Sequence, residues 1–585
     1  MNKSAILHIP QSQYAFADNL TTMTIRIRSA AQDLSSCTLY YGDRACRKSP
    51  VEFFPVPMKL IARDELFDYY EISIHSEFNR VCYYFKLEQG EEWSYYYADK
   101  FSKELPDFIL HGTLIEGRSE YYQYPIILKD EILDVPNWFK NAVVYNIFPD
   151  SFATSKRFLD NKEKEIALPK GLTSKSKLGG TIKGITQNLD YIADMGFTCI
   201  YLNPIFVAGE SHKYDILDYF HIDPCFGTED DFKELVEKIH EKNMYIIIDG
   251  VFNHCSWYFF AFEDVVKKGE ESEYKDWFYD LNYPVIRPMD HDAIPSYACF
   301  AYERKMPKLN TSNELVQEYF KKVCVHWIRE FKVDGWRLDV ANEVDRNFWR
   351  SVRKAVKKEN PKAVLIGEVW ENAETWLKGD AFDSTMNYDF RKHCREFFAM
   401  DKIDAFQFAG EINRMLLRYP KNMVEGQLNL LDSHDVPRFL SLCGDDIRKW
   451  KLAFLFLILC PGVPSMFYGD EMQIKGITED QYRSPMPWQK ESGEVQHFVE
   501  KMIQIRKNHM IADGTFQVIQ AHKESKVLIF TRGQGEKQLF VCVNASNDST
   551  TVTLRENNSC LMEEGVLREG GNCFIQPYGY GIYLV

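Results

Sequence analysis

From residue 1 to about 122, apolar and polar positions alternate in short runs, "TMTIRIRSA", "CTLYYGD", "DYYEISIH" and "RVCYYFKLE", separated by Asp, Gly and Asn. A period of two places apolar side chains on one face of an extended strand, so this segment predicts an antiparallel β-sandwich. Between 123 and 510 the rhythm changes. Eight short apolar runs follow: "AVVYNIFPD" (142–150), "TCIYLNPIF" (198–206), "YIIIDGVFNH" (245–254), "VDGWRLDV" (333–340), "VLIGEVW" (364–370), "FDSTMN" (382–387), "LNLLDSHD" (428–435) and "VPSMFYGDE" (463–471). Amphipathic helices lie between them. In "TEDDFKELVEKIHE" (228–241), Thr228 and Asp231 have capping-box spacing, and Phe232, Leu235, Val236 and Ile239 form one stripe. The order predicts an α/β chain built on a (β/α)8 TIM barrel. Residues 255–313 are too long and too weakly periodic for a connection, and predict a subdomain inserted after the third strand. Alternation returns over 511–585 in "SKVLIFTRG", "QLFVCVNAS" and "GYGIYLV", predicting a C-terminal β-sandwich.

Charge narrows the partners. With 70 Lys and Arg against 85 Asp and Glu, the net charge of -15 repels nucleic acid and anionic membranes and favours a neutral ligand. The start, "MNKSAILHIPQSQ", has no apolar core of a secretory signal, and the longest apolar run, "LAFLFLILC", stops at Pro461. Fourteen cysteines without CxxC spacing fit reduced thiols. A cytoplasmic location is expected.

Polar residues gather at the C-terminal ends of the expected strands, the end that forms the mouth of such a barrel: Asp249, Asn253 and His254; Arg337 and Asp339; Glu368; His434 and Asp435. There is no Cys/His ligand cluster, phosphate loop or GxSxG elbow, so the carboxylates point to acid–base and nucleophilic work on a neutral substrate, as in cleaving a glycosidic bond. In "GWRLDVANE", Arg337 stands two positions before Asp339, on the same strand face, and is expected to lower the Asp339 pKa and keep it a nucleophile. Glu368 follows an apolar strand, and burial there is expected to make it the general acid. Retention of configuration would follow, with the two carboxyls about 5 to 5.5 Å apart. Asp435 is the candidate for gripping sugar hydroxyls, and Tyr214 in "SHKYD" for stacking on a sugar ring.

These residues carry a resemblance. "DGVFNH" (249–254), "GWRLDVANE" (335–343), "GEVW" (367–370) and "LLDSHD" (430–435) resemble the four signature segments of the α-amylase family of glycoside hydrolases, and "MPKLN" (306–310) is similar to the segment marking its neopullulanase, cyclomaltodextrinase and maltogenic amylase subgroup. The resemblance implies that Asp339 is the nucleophile, Glu368 the acid/base and Asp435 the transition-state stabiliser. It implies that Arg337, His254, His434 and Tyr214 surround the sugar at the cleaved bond, that Glu343 and Trp370 line subsites beyond it, and that Arg483 lies on the nonreducing side. It further implies hydrolysis of α-1,4 and sometimes α-1,6 bonds in cyclodextrins, maltodextrins and pullulan, with transglycosylation, by a homodimer formed through a starch-binding-like N-terminal domain. Ser151, Thr154, Lys156 and Thr181 stand where the family's calcium loop carries an arginine and oxygen ligands, and Ser484 replaces a basic residue before "PMPW". Calcium needs 6 to 8 oxygens, so that site is expected to be lost, with no cofactor required and Lys156 a candidate replacement for the charge. Two other readings keep the barrel: an exo-acting α-glucosidase or glucanotransferase, and a non-catalytic carbohydrate-binding homologue.

Overall fold

The computed structural model describes residues 1–45, 51–105, 120–129, 132–155, 178–290, 292–490, 493–509, 514–553, 559–569 and 572–585. The chain forms two compact units, Val135–Met400 with Gly426–Ala512, and Met1–Asp134 with Asp401–Glu425 and Asp513–Val585.

In the first of these, eight parallel strands close into a barrel: β1 (Val144–Ile147), β2 (Cys199–Leu202), β3 (Tyr245–Gly250), β4 (Gly335–Leu338), β5 (Val364–Gly367), β6 (Ser384–Asn387), β7 (Leu428–Leu430) and β8 (Val463–Phe467), with β1 pairing β8. The strands are shorter than the apolar runs that announced them. Asp339, Glu368 and Asp435 therefore leave the strands and stand in the turns just beyond, where a side chain is free to face the mouth. At Gly367, a Cβ would come 2.6 Å from the Phe382 ring, so the turn carrying Glu368 needs glycine to pack this closely.

The surrounding helices follow their sequence signals. Helix α1 (Glu229–Glu241) has the expected Thr228–Asp231 capping box and buries Phe232, Leu235, Val236 and Ile239. Helix α2 (Glu314–Glu330) is capped by Asn313 and buries Val316, Phe320, Val323, Cys324, Trp327 and Ile328. The segment 255–313 contains a helix, Phe260–Lys268, and little other regular structure; it returns to the barrel through a bridge that pairs His254 with Lys308, and a second bridge pairs Phe278 with Leu309 within it. "MPKLN" is thereby laid beside the end of β3.

The second unit holds the N-terminal strands as two antiparallel sheets with Ile25, Ile27, Leu39, Tyr83, Phe85 and Leu87 between them, and the C-terminal strands as one six-stranded antiparallel sheet. Residues 401–425 lie between β6 and β7 in sequence but join this unit. Helix Ala405–Leu417 packs on strands Lys59–Arg63 and Thr515–Ala521, with Asn413 Nδ2 donating to the Arg63 carbonyl (3.1 Å) and the Glu524 N–H donating to the Asp404 carboxylate (2.9 Å). Every described cysteine is free. Among the described residues, no helix is long and apolar enough to cross a membrane.

Candidate active site

Arg337 on β4 is wholly buried and organises the mouth of the barrel. Its Nη1 donates to Asp339 Oδ1 (2.8 Å) and to both oxygens of Asp249 at the end of β3 (2.9 and 3.1 Å). Its Nη2 lies 3.0 Å from Glu368 Oε1 and 3.9 Å from Asp435 Oδ2, at ion-pair distance but without hydrogen-bond alignment to a protein acceptor. One guanidinium thus serves four carboxylates. A single positive charge cannot compensate four negative ones in a buried site, so the cluster titrates as a group.

The balance of forces differs from the sequence expectation at Asp339. Arg337 does pull Asp339 toward ionisation, but burial outweighs it, and Glu368, Asp249 and Asp435 add to burial, so the net displacement of the Asp339 pKa is well above the ordinary carboxylate value. Two-residue spacing revealed the pairing and not the three competing acids, which arrive from other strands. Glu368, in turn, does not sit in an apolar pocket. Its Oε2 accepts from the Val340 N–H (2.9 Å) and its Oε1 from Trp370 Nε1 (3.1 Å). Asp435 is pushed up to about 7, chiefly by burial and then by Glu368, against the opposing pull of Arg337 and Arg483.

Above the cluster opens a cleft of about 500 Å³, a size suited to a small ligand. Asp339, Glu368, Asp435, Tyr214, His254, Glu343, Trp370 and Arg483 line it, and His212, Phe300, Met306, Val340, Asn342 and Glu479 complete the wall. Arg337 and His434 are fully buried and absent from that lining. The Tyr214 ring stacks on His434 (centroids 5.4 Å, 5° between planes) and its hydroxyl donates to Asp249 (3.0 Å). His254 donates from Nε2 to the Tyr214 carbonyl (3.2 Å) and lies against Phe300; burial brings its pKa down to about 3. Trp370 is 48% exposed and its ring lies flat on buried Tyr388 (3.6 Å, 8°), leaving one aromatic face to the cleft. Arg483 donates from Nε to the His434 carbonyl (2.8 Å) and pairs with Glu479. Glu343 forms an ion pair with Lys308 (2.8 Å), whose ammonium also meets Asn253 Oδ1.

His212 and Phe300 escaped the sequence reading because they sit on irregular segments without periodicity, and Glu479 because its helix, Glu479–Tyr482, is a single turn; Asn203, just after β2, was hidden inside an apolar run. Among the described residues, no group of three or more His, Cys, Asp or Glu is disposed to hold a metal. The positions at which the resemblance calls for calcium ligands are otherwise engaged: Ser151 Oγ donates to the Arg483 carbonyl (2.7 Å) and Thr181 Oγ1 caps a helix by accepting from the Gly184 N–H (3.0 Å). Lys156 lies outside the described residues.

Comparison with known proteins agrees with this layout. The alpha amylase catalytic domain matches residues 146–526, and the alpha amylase N-terminal ig-like domain matches residues 1–114. A cyclomaltodextrinase of Geobacillus thermopakistaniensis is 37% identical over 597 residues, covering all of both chains, and neopullulanase 2 of Thermoactinomyces vulgaris is 37% identical over 595 residues, covering 98% of each. A solved cyclomaltodextrinase structure superposes with a TM-score of 0.90 at 35% identity over the full length of both chains. A barrel with a four-carboxylate mouth, matched end to end at these identities, places the chain in the α-amylase family of glycoside hydrolases.

Proposed function

We propose that the chain is a retaining α-glucan hydrolase that cleaves α-1,4 and also α-1,6 glucosidic bonds in cyclodextrins, maltodextrins and pullulan, with transfer to sugar acceptors as a second outcome. The observation that carries the reading is the shared grip of Arg337 on Asp339 and Glu368 at the floor of the cleft. Two carboxyls beside neighbouring nitrogens of one planar group support a displacement in which one acid attacks and the other protonates.

Asp339 attacks the anomeric carbon while Glu368 gives its proton to the departing oxygen, forming a glycosyl–aspartate ester. Glu368 then takes a proton from water, which attacks the same carbon and releases Asp339, so configuration is retained. Positive charge developing at the anomeric carbon draws negative charge onto the nearest carboxylate. That effect opposes the upward displacement of Asp339 and leaves the shared proton for the carboxyl facing the leaving oxygen. Asp435, with His434 Nε2 3.1 Å away, holds sugar hydroxyls during distortion of the ring. The exposed face of Trp370 supports an acceptor sugar as readily as a leaving one, which favours transfer alongside hydrolysis.

The reading includes no metal, a cytoplasmic location consistent with free cysteines, and a homodimer. Proton NMR of the first product from maltotriose tests the chemistry: the α anomer is expected, and initial release of the β anomer would refute the double displacement. Asp339→Asn and Glu368→Gln should each lower turnover of maltotriose at least about 1,000-fold, while Glu368→Gln still glycosylates Asp339 from a glycosyl fluoride, whose leaving group needs no proton.

A further inference from the structure

We infer that Ser151 and Tyr468 are positioning residues: together with Arg438 they hold the backbone of residues 482–484 and so keep Arg483 in the wall of the cleft, beside Asp435, where a glucan is gripped. Arg483 follows a helix of a single turn, Glu479–Tyr482. The carbonyls at the end of such a helix have no partner within it. Here three consecutive carbonyls are each met by a different side chain. The Tyr482 carbonyl accepts from Arg438 Nε (3.0 Å), the Arg483 carbonyl from Ser151 Oγ (2.7 Å) and the Ser484 carbonyl from the Tyr468 hydroxyl (2.7 Å). A carbonyl can only accept, so the single proton of each hydroxyl is committed to this segment.

The three donors are buried, and they follow three strands that lie side by side in the barrel, β7, β8 and β1. Arg438 is fixed in its turn: its Nη1 donates to the Tyr468 carbonyl (2.7 Å) and to Asp470 Oδ1 (2.9 Å), and its own N–H to the Gly476 carbonyl (2.9 Å). The Ser151 carbonyl accepts from the Met486 N–H (2.9 Å), so the chain is tied on both sides of Arg483. From this anchored backbone the Arg483 side chain donates from Nε to the His434 carbonyl (2.8 Å), brings Nη2 to 3.7 Å from Asp435 Oδ1 and lies over the Phe148 ring (5.1 Å to its centre). A long side chain loses rotamer freedom when it engages a ligand, and a fixed backbone with fixed flanking contacts removes most of that loss before the ligand arrives. Arg483 lines the cleft, so the gain is in sugar binding.

The consequence for sugar binding rests on the glucan hydrolase reading, while the placement of Arg483 is tested without any activity. Tyr468→Phe and Ser151→Ala each remove one hydroxyl and leave the rest of the shape. Crystal structures of the parent and of the double variant are expected to show Arg483 Nε withdrawn beyond hydrogen-bond distance from the His434 carbonyl in the variant. An Arg483 that keeps its parental place overturns the inference whether or not the protein hydrolyses a glucan. In steady-state kinetics each single variant is expected to raise KM for maltotriose about 3- to 10-fold, the loss of one hydrogen bond, and to raise it no further in an Arg483→Gln background. A merely structural role lowers the melting temperature and the active fraction, hence the apparent kcat, with KM unmoved. That result overturns the inference, as does an equal rise of KM in the Arg483→Gln background. Absence of hydrolysis by the unsubstituted protein counts against the glucan hydrolase reading alone, and the crystallographic comparison then decides the role of the two hydroxyls.

Discussion

Replacing Asp435 with asparagine should make the barrel more stable while it abolishes useful turnover. The ionised carboxylate is held in a buried cluster with Glu368, Asp339 and Asp249, and its pKa is displaced from the ordinary 3.8 to about 7. One pH unit of displacement is worth about 1.4 kcal/mol, so ionised Asp435 opposes folding by at most about 4 kcal/mol. The side chain keeps 29% exposure, and water moderates the repulsion, which leaves about 1 to 3 kcal/mol. The sign follows from proton counts. Between about pH 4 and pH 7 the folded protein retains a proton on Asp435 that the unfolded chain has released, so stability from this group is present at low pH and lost as pH rises to 7. Asparagine mimics the protonated acid at every pH. The variant should match the parent near pH 4 and pull ahead above it, reaching its full advantage beyond pH 7. For a unit of roughly 350 residues, about 1 to 1.5 °C accompanies each kcal/mol, so the melting temperature of Asp435→Asn should exceed that of the parent by about 1 to 4 °C at pH 8. Scanning calorimetry across this range provides the test. A difference that does not vary with pH, or one that grows toward acid, refutes the argument that burial and crowded negative charge together make ionised Asp435 destabilising.

Other substitutions separate roles that a single residue combines. Trp370→Ala should raise KM for maltotriose about 3- to 10-fold through loss of the aromatic face, whereas Trp370→Phe keeps the face but loses the N–H to Glu368 and should lower kcat with little change in KM; steady-state kinetics of both variants distinguishes the two contributions. Lys308→Met frees Glu343 and Asn253 at a stability cost of at most about 1 kcal/mol, and chromatography of maltotriose products should show an altered ratio of transfer to hydrolysis. Treatment with a strong chelator should leave both activity and melting temperature unchanged, and recovery of a loss by added calcium would contradict the reading of Ser151 and Thr181.

The barrel was legible because each strand is a short apolar run followed by a polar residue, and the same periodicity put Arg337 beside Asp339. What could not be read is whatever depends on elements far apart in sequence. Asp249 comes from β3, while Glu368 and Asp435 follow β5 and β7, and burial at the closed mouth, with the repulsion of these acids added to it, reverses the direction in which Arg337 alone would move Asp339. Asn146 and Asn203 lie inside the apolar runs that announced β1 and β2, and only the closure of the barrel shows that their side chains hydrogen-bond to each other. Phe300 comes from an insertion whose irregular backbone carries no periodic signal. The assignment of residues 401–425 to the unit of the chain ends was equally invisible, because nothing in "DAFQFAGEINRMLL" says which sheet its apolar face will cover.

That borrowed helix limits how the protein can be dissected. Its buried face, with Phe408 and Ile412, is served by strands from both termini. Cutting the chain at the sequence borders of the barrel would therefore release a fragment still bearing an orphaned greasy stripe, and the severed ends would lose their common clasp. A separable catalytic module here requires a redesigned crossing between β6 and β7, not merely a shorter gene.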